Sequence, residues 1–383
     1  MAGKKDKDEK PKDAASELRT KHIPFEQLLE RLEERRRLSH FGEDRPGLTD
    51  ARQPEQPKSG PGGADYSHKA VTRSLYGEDE LAYWVFEPSQ PSPASAPLVL
   101  FLHGWGGGSP AKSGAWFDHL AKKGNIVLFP AYQGSMRPWA KPWDRTPPTH
   151  MLKNVLTALK DAVQRLQSGG HVRPDLDRFA VTGASLGGAL TAQLAAVASK
   201  NHLPVPKVIM PMVPGRGLWA RQPLPAVDLN TIAASTLMLV VVCEDDRNSG
   251  DFEGRAIFSK TSQIPAANKN FIVMLSDRHG TPPLIANHNS PSASNPAYGL
   301  GEKDHSPVNA RHYYGYWKLF DALMDAAFHQ RNREYALGDT PPQRFMGVWS
   351  DGVPVKPLQV VTDAKLLPPF RFQSRLFARR AGP

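Results

Sequence analysis

At 383 residues and 40% hydrophobic content, the chain can build one large domain or two small ones, and is too apolar for wholesale disorder. Its single cysteine, Cys243, excludes an internal disulfide and any cysteine-rich metal site. The formal net charge of +10 would suit an anionic partner, but the charges are interleaved and no nucleic-acid motif accompanies them, so no nucleic-acid partner is expected.

Residues 1–70 form a charged arm rich in Lys, Glu, Pro and Gly. Its start, MAGKKDKDEKPKD, lacks the apolar stretch of a signal peptide, which reads as cytoplasmic; a secreted chain whose leader was removed would look the same. Within the arm, Phe25, Leu28, Leu29, Leu32 and Leu38 recur at helical spacing among Glu and Arg, predicting one amphipathic helix followed by a PKSGPGGAD linker. No stretch of the chain is long and apolar enough to predict a membrane span.

Residues 71–335 alternate short apolar runs with longer helical segments, the pattern of a mostly parallel sheet covered by helices on both faces. The first clear strand, Pro97–His103, runs into Gly104-Trp105 and a glycine-rich loop. Such a loop can aim backbone N–H groups at a developing oxyanion, Trp105 supplying one; its spacing does not fit a dinucleotide cradle. A strand over Asn125–Phe129 precedes PAYQGSMRPWAKPWDRTPP, in which Tyr132, Trp139 and Trp143, with Trp105, could line an apolar binding site or simply cap the core. A helix is predicted over Met151–Gln167.

The strand Arg178–Thr182 leads into Gly183-Ala184-Ser185-Leu186-Gly187 and then a small-residue helix, Leu186–Lys200. A nucleophilic serine needs a sharp strand-to-helix turn with glycines two residues to either side, and the Leu186 N–H that follows is the second oxyanion donor. After a strand at Val208–Val213, the strand Thr236–Cys243 ends in Glu244-Asp245-Asp246. A carboxylate there can orient a histidine; Asp246 is preferred because it stands beyond the first turn residues, with Asp245 as the alternative. The strand Phe271–Ser276 is followed by His279, and further on by His288 in ANHNSP. Chain order and closeness to the strand end favour His279 as the base over His288. A helix over Tyr314–Ala327 completes this region, and residues 336–383 read as a Pro- and Arg-rich tail packed on the domain.

VLFLHGWGG, VTGASLGG, TLMLVVVCEDD and NFIVMLSDRHG together resemble the α/β-hydrolase superfamily, more narrowly its cutinase-like and polyester hydrolase, dienelactone hydrolase and chlorophyllase-like branch. Cys243-Glu244-Asp245-Asp246 resembles the Cys-Glu-Asn-Asp turn of polyester hydrolases, whose last Asp is the acid. The resemblance implies an α/β-hydrolase fold and a serine esterase acting on a small-molecule or polymeric ester, with Ser185, Asp246 and His279 as triad and neither metal nor organic cofactor. Ala184 stands where polyester hydrolases usually carry His or Trp. The same triad would serve a thioesterase, amidase or peptidase, and a non-enzymatic binding module is the other reading. Oligomeric state is not encoded in any motif.

Overall fold

The six apolar runs become the parallel heart of a nine-stranded sheet. In the computed structural model, which describes residues 42, 45–134, 146–215, 224–298 and 306–367, the strands are β1 (Ala70–Tyr76), β2 (Tyr83–Ser89), β3 (Ser95–Leu102), β4 (Ile126–Pro130), β5 (Arg173–Ala184), β6 (Val208–Met212), β7 (Leu237–Cys243), β8 (Lys269–Met274) and β9 (Gln359–Val361). Their order is β1-β2-β4-β3-β5-β6-β7-β8-β9. Strands β3 to β8 pair in parallel, whereas β1, β2 and β9 pair antiparallel at the two edges. Every residue of β7 and β8 is buried, as strands covered on both faces require.

The main helices are α1 (Gly114–Lys122), α2 (Pro148–Arg165), α3 (Leu186–Val197), α4 (Phe252–Ser259) and α5 (Trp317–His329). One core layer joins α2, α3 and α4 to Leu98, Leu100, Val181 and Val240; the other joins α1 and α5 to Val99, Phe101, Met210 and Val241. Successive strand residues thus feed opposite layers, the period of two that a doubly covered sheet imposes. The α/β architecture expected from the sequence is present. Among the described residues no helix is long and apolar enough to cross a membrane.

Two expectations are revised. Phe271–Ser276 was the last strand expected, but the tail returns to add β9 beside β8, so Gln359–Val361 of the tail belong to the sheet. The arm is likewise stapled down where it is described. Gly62 N–H donates to the Asp321 carboxylate on α5 at 2.8 Å, and the same Asp321 oxygen pairs with His119 Nε2 on α1 at 2.9 Å. His119 Nδ1 meets the Tyr66 hydroxyl at 3.1 Å, closing the link. The predicted helix at 25–38 and the basic end from residue 368 lie outside the described residues.

A π-helical turn, Arg311–Tyr316, leads into α5 and buries His312 completely. Its Nδ1 accepts the Asn309 N–H at 3.0 Å, so Nε2 carries the proton donated to Ser292 O at 2.9 Å. Burial, helped by the neighbouring Arg311 charge, pushes the His312 pKa down from 6.5 to about 3. Between these values the unfolded chain binds a proton that the folded one does not, so this contribution to stability is complete above 6.5 and lost as pH falls toward 3. The loss is about 1.4 kcal/mol per pH unit at most. Chemical denaturation between pH 6.5 and 4 should therefore show a steeper loss of stability for the native chain than for His312→Gln; parallel slopes would contradict this assignment.

Candidate active site

Helix α3 begins at the C-terminal end of β5, and its closeness to β3 is possible only because side chains are missing. A Cβ on Gly187 would stand 2.1 Å from Leu102 O and 2.5 Å from His103 O; one on Gly183 would meet Gly187 O at 2.6 Å, and one on Gly188 would meet Met212 O at 2.7 Å. The chain turns this corner at Ser185, held at φ 58°, ψ −119°. That conformation costs on the order of 1–3 kcal/mol for a non-glycine residue and survives only if its surroundings enforce it. They do: Ser185 N–H donates to Met212 O at 3.0 Å, and its carbonyl accepts Gly215 N–H at 3.1 Å and Ala189 N–H at 3.2 Å.

Ser185 and Asp246 are brought together, and the imidazole between them belongs to His288. His288 Nε2 lies 2.9 Å from Ser185 Oγ, and His288 Nδ1 lies 2.9 Å from Asp246 Oδ2. All three residues are buried. Asp246 Oδ1 accepts the backbone N–H groups of Asn248 and Ser249, both at 2.9 Å. A carboxylate only accepts, so Nδ1 carries the imidazole proton and Nε2 is left to accept from the serine hydroxyl.

The choice of His279 as base is therefore corrected. Past β8 the chain does not turn back at once: Asp277 and Leu284 pair through two backbone hydrogen bonds of 2.8 Å, closing an excursion that carries His279 away from Ser185. His279 Nε2 instead pairs with Asp351 Oδ2 at 2.7 Å, beside the Trp349 ring. The returning chain brings Ala286 against Asp245 and His288 over the serine. Asn287 and Ser290 shape that last turn: the Ser290 hydroxyl accepts Asn287 N–H at 2.7 Å and donates to Asn287 O at 2.6 Å. The Asn- and Ser-rich ANHNSP stretch was the sequence signal for a built turn around a histidine.

The glycine-rich loop after β3 lies against the serine: a Cβ on Gly104 would come within 3.8 Å of Ser185 Oγ. The loop is tied from below, its Gly106 N–H donating to Gln133 Oε1 at 2.6 Å and its His103 carbonyl accepting the Tyr132 hydroxyl. Tyr132 is fully buried and stacks on His103 at 4.2 Å between ring centroids, so its expected role as a substrate-binding wall is also corrected: it supports the loop from inside. The reason is its phenol, which needs a buried acceptor and finds one beneath the loop. Trp105 is half-buried in this loop and Leu186 opens α3, while Trp139 and Trp143 lie outside the described residues. Among the described residues no group of three His, Cys, Asp or Glu side chains is arranged to hold a metal ion.

No protein-family model matches this sequence, and no curated protein is significantly similar to it.

Gly187→Ala should destabilise the fold by about 1–3 kcal/mol, because the colliding atoms are rigid backbone carbonyls. A urea midpoint equal to that of the native chain would mean that α3 does not lie against β3 as described.

Proposed function

We propose that this chain is a serine hydrolase of the α/β-hydrolase fold, cleaving carboxylic esters through an acyl-enzyme. The observation that carries the reading is the single imidazole, His288, bonded at 2.9 Å to both Ser185 Oγ and Asp246 Oδ2. Support also comes from chain order, nucleophile, acid and base following β5, β7 and β8 in turn. Ser185 attacks the ester carbonyl as its proton passes to His288 Nε2, and Asp246 stabilises the imidazolium through Nδ1–H. The Leu186 and Trp105 backbone N–H groups are the proposed oxyanion donors. Collapse of the tetrahedral intermediate breaks the ester C–O bond, His288 protonating the departing alcohol. Water, deprotonated by the same imidazole, then releases the acid and restores Ser185.

The likeness of Cys243–Asp246 to the acid turn of polyester hydrolases supports an ester substrate, small or polymeric. No resident cofactor enters this scheme.

A fluorophosphonate probe should label Ser185 in the native chain and fail to label Ser185→Ala. In p-nitrophenyl ester hydrolysis, His288→Ala should lower kcat/KM by roughly four orders of magnitude, while His279→Ala should change it no more than about threefold. Loss of activity in His279→Ala with retention in His288→Ala would overturn the assignment of the base. Parallel thioester and anilide substrates separate esterase from thioesterase and amidase, and absence of both labelling and turnover would leave the binding-module reading.

A further inference from the structure

Strand β7 is followed by three consecutive acids: Asp246 meets the imidazole, while Glu244 and Asp245 bond to the segment just beyond β8. Ser276, buried two residues beyond β8, donates its hydroxyl proton to Asp245 Oδ2 at 2.7 Å and accepts the Ala286 N–H at 2.9 Å. The Asp245 N–H donates to Ala286 O at 2.9 Å. Glu244 completes the join, its Oε2 accepting the Ser276 N–H at 3.0 Å and its N–H donating to Met274 O at 2.9 Å. The Arg278 guanidinium stands 3.9 Å from the same Asp245 oxygen that takes the Ser276 proton.

The neighbour of the acid and the residue two before the base are thus joined twice, once through backbone and once through a buried hydroxyl. We infer that Ser276 and Asp245 are positioning residues that set the separation of Asp246 and His288. Neither touches the reacting atoms. Their effect on turnover rests on the hydrolase reading above; their effect on the Asp246–His288 bond does not.

The physical argument is one of leverage. The bond from His288 Nδ1 to Asp246 depends steeply on distance and angle, and His288 sits on a loop rather than on a strand. The Ser276 hydroxyl is bonded through one atom both to the turn that carries Asp246 and to the loop that carries His288. Removing it leaves the buried Ala286 N–H without its acceptor, which the loop can remedy only by moving toward water. A shift of about 1 Å in a catalytic group can cost on the order of a hundredfold in rate.

Two readouts separate positioning from simple structural support. The first is the downfield proton resonance of the Nδ1–H held between His288 and Asp246, assigned by its absence in His288→Ala. The second is ester turnover split into kcat and KM. Ser276→Ala and Asp245→Ala should shift or broaden that resonance and lower kcat about 10- to 100-fold with KM changed no more than about twofold. Asp245→Asn, which still offers an oxygen to Ser276, should keep the resonance and stay within about threefold of native kcat. A native resonance and native kcat in Ser276→Ala, with only the thermal midpoint lowered, would overturn the inference. Loss of the resonance in Ser276→Ala in a chain that hydrolyses no ester would uphold the positioning role and sink the hydrolase reading instead. Should Ser276→Ala not fold, the contrast between Asp245→Ala and Asp245→Asn decides on the same two readouts.

Discussion

The closeness of α3 to β3 and β6 is the constraint on which the rest of the site depends. With Leu102 O, His103 O and Met212 O standing where Cβ atoms would be, the helix can lie there only with glycine at 183, 187 and 188. The same contact fixes Ser185 in a conformation that a serine does not adopt by preference, and it presses the Gly104 loop against the hydroxyl. The strand order supplies the place. Chain order reverses between β3 and β5, the switch point at which open α/β sheets generally place a ligand site beyond the C-terminal ends of the strands. The placement of Ser185 and that of the glycine-rich loop are therefore one geometric decision rather than two.

The imidazole depends on something else. No strand carries His288; it rides on a loop that leaves β8, makes the Asp277–Leu284 excursion and returns to the acid turn. Both terminal segments converge on that excursion. From the arm, Leu48 N–H and Thr49 N–H donate to Arg278 O and His279 O, each at 2.8 Å. From the tail, Trp349 Nε1 and Lys356 N–H donate to Asp277 Oδ2 at 3.1 and 2.9 Å. Arm and tail also grip each other, through paired backbone and side-chain bonds between Arg52 and Ser350. The two extensions at either end of the sheet-and-helix region thus brace the loop that carries His288.

What was legible in the sequence follows from this division. The six parallel strands were readable because burial on both faces makes them nearly continuous apolar runs. The edge strands were not: β1 is half exposed and its apolar residues are split by the polar run Thr72-Arg73-Ser74, β2 carries Glu87 and Pro88, and β9 has only three residues. Helix α1, nine residues long, was too short for its periodicity to stand out. Ser185 was readable from glycine spacing, a local property, and Asp246 from its place at a strand end. His288 was misjudged because the rule that a base lies just past the last strand assumes a direct return. The detour is written in backbone pairing between Asp277 and Leu284, to which no side-chain pattern corresponds. Tyr132 failed for a related reason, since the sequence shows an aromatic residue in a loop but not which way its hydroxyl finds an acceptor.

The support of the glycine-rich loop has a further consequence for the proposed chemistry. β3 and β4 are parallel neighbours, so the residues following β4 emerge beside the loop that follows β3. Tyr132 and Gln133 reach across from there, one with a hydroxyl to His103 O and the other with a carboxamide oxygen to Gly106 N–H. Donors aimed at a developing oxyanion are effective in proportion to how little they must reorganise, and these two ties hold the loop before any substrate arrives. Both are uncharged. Burial drives the Tyr132 phenol well above its ordinary range, and a carboxamide does not titrate, so neither tie loosens with pH. The loop is in this sense a fixed part of the site, held in the same way whatever the pH.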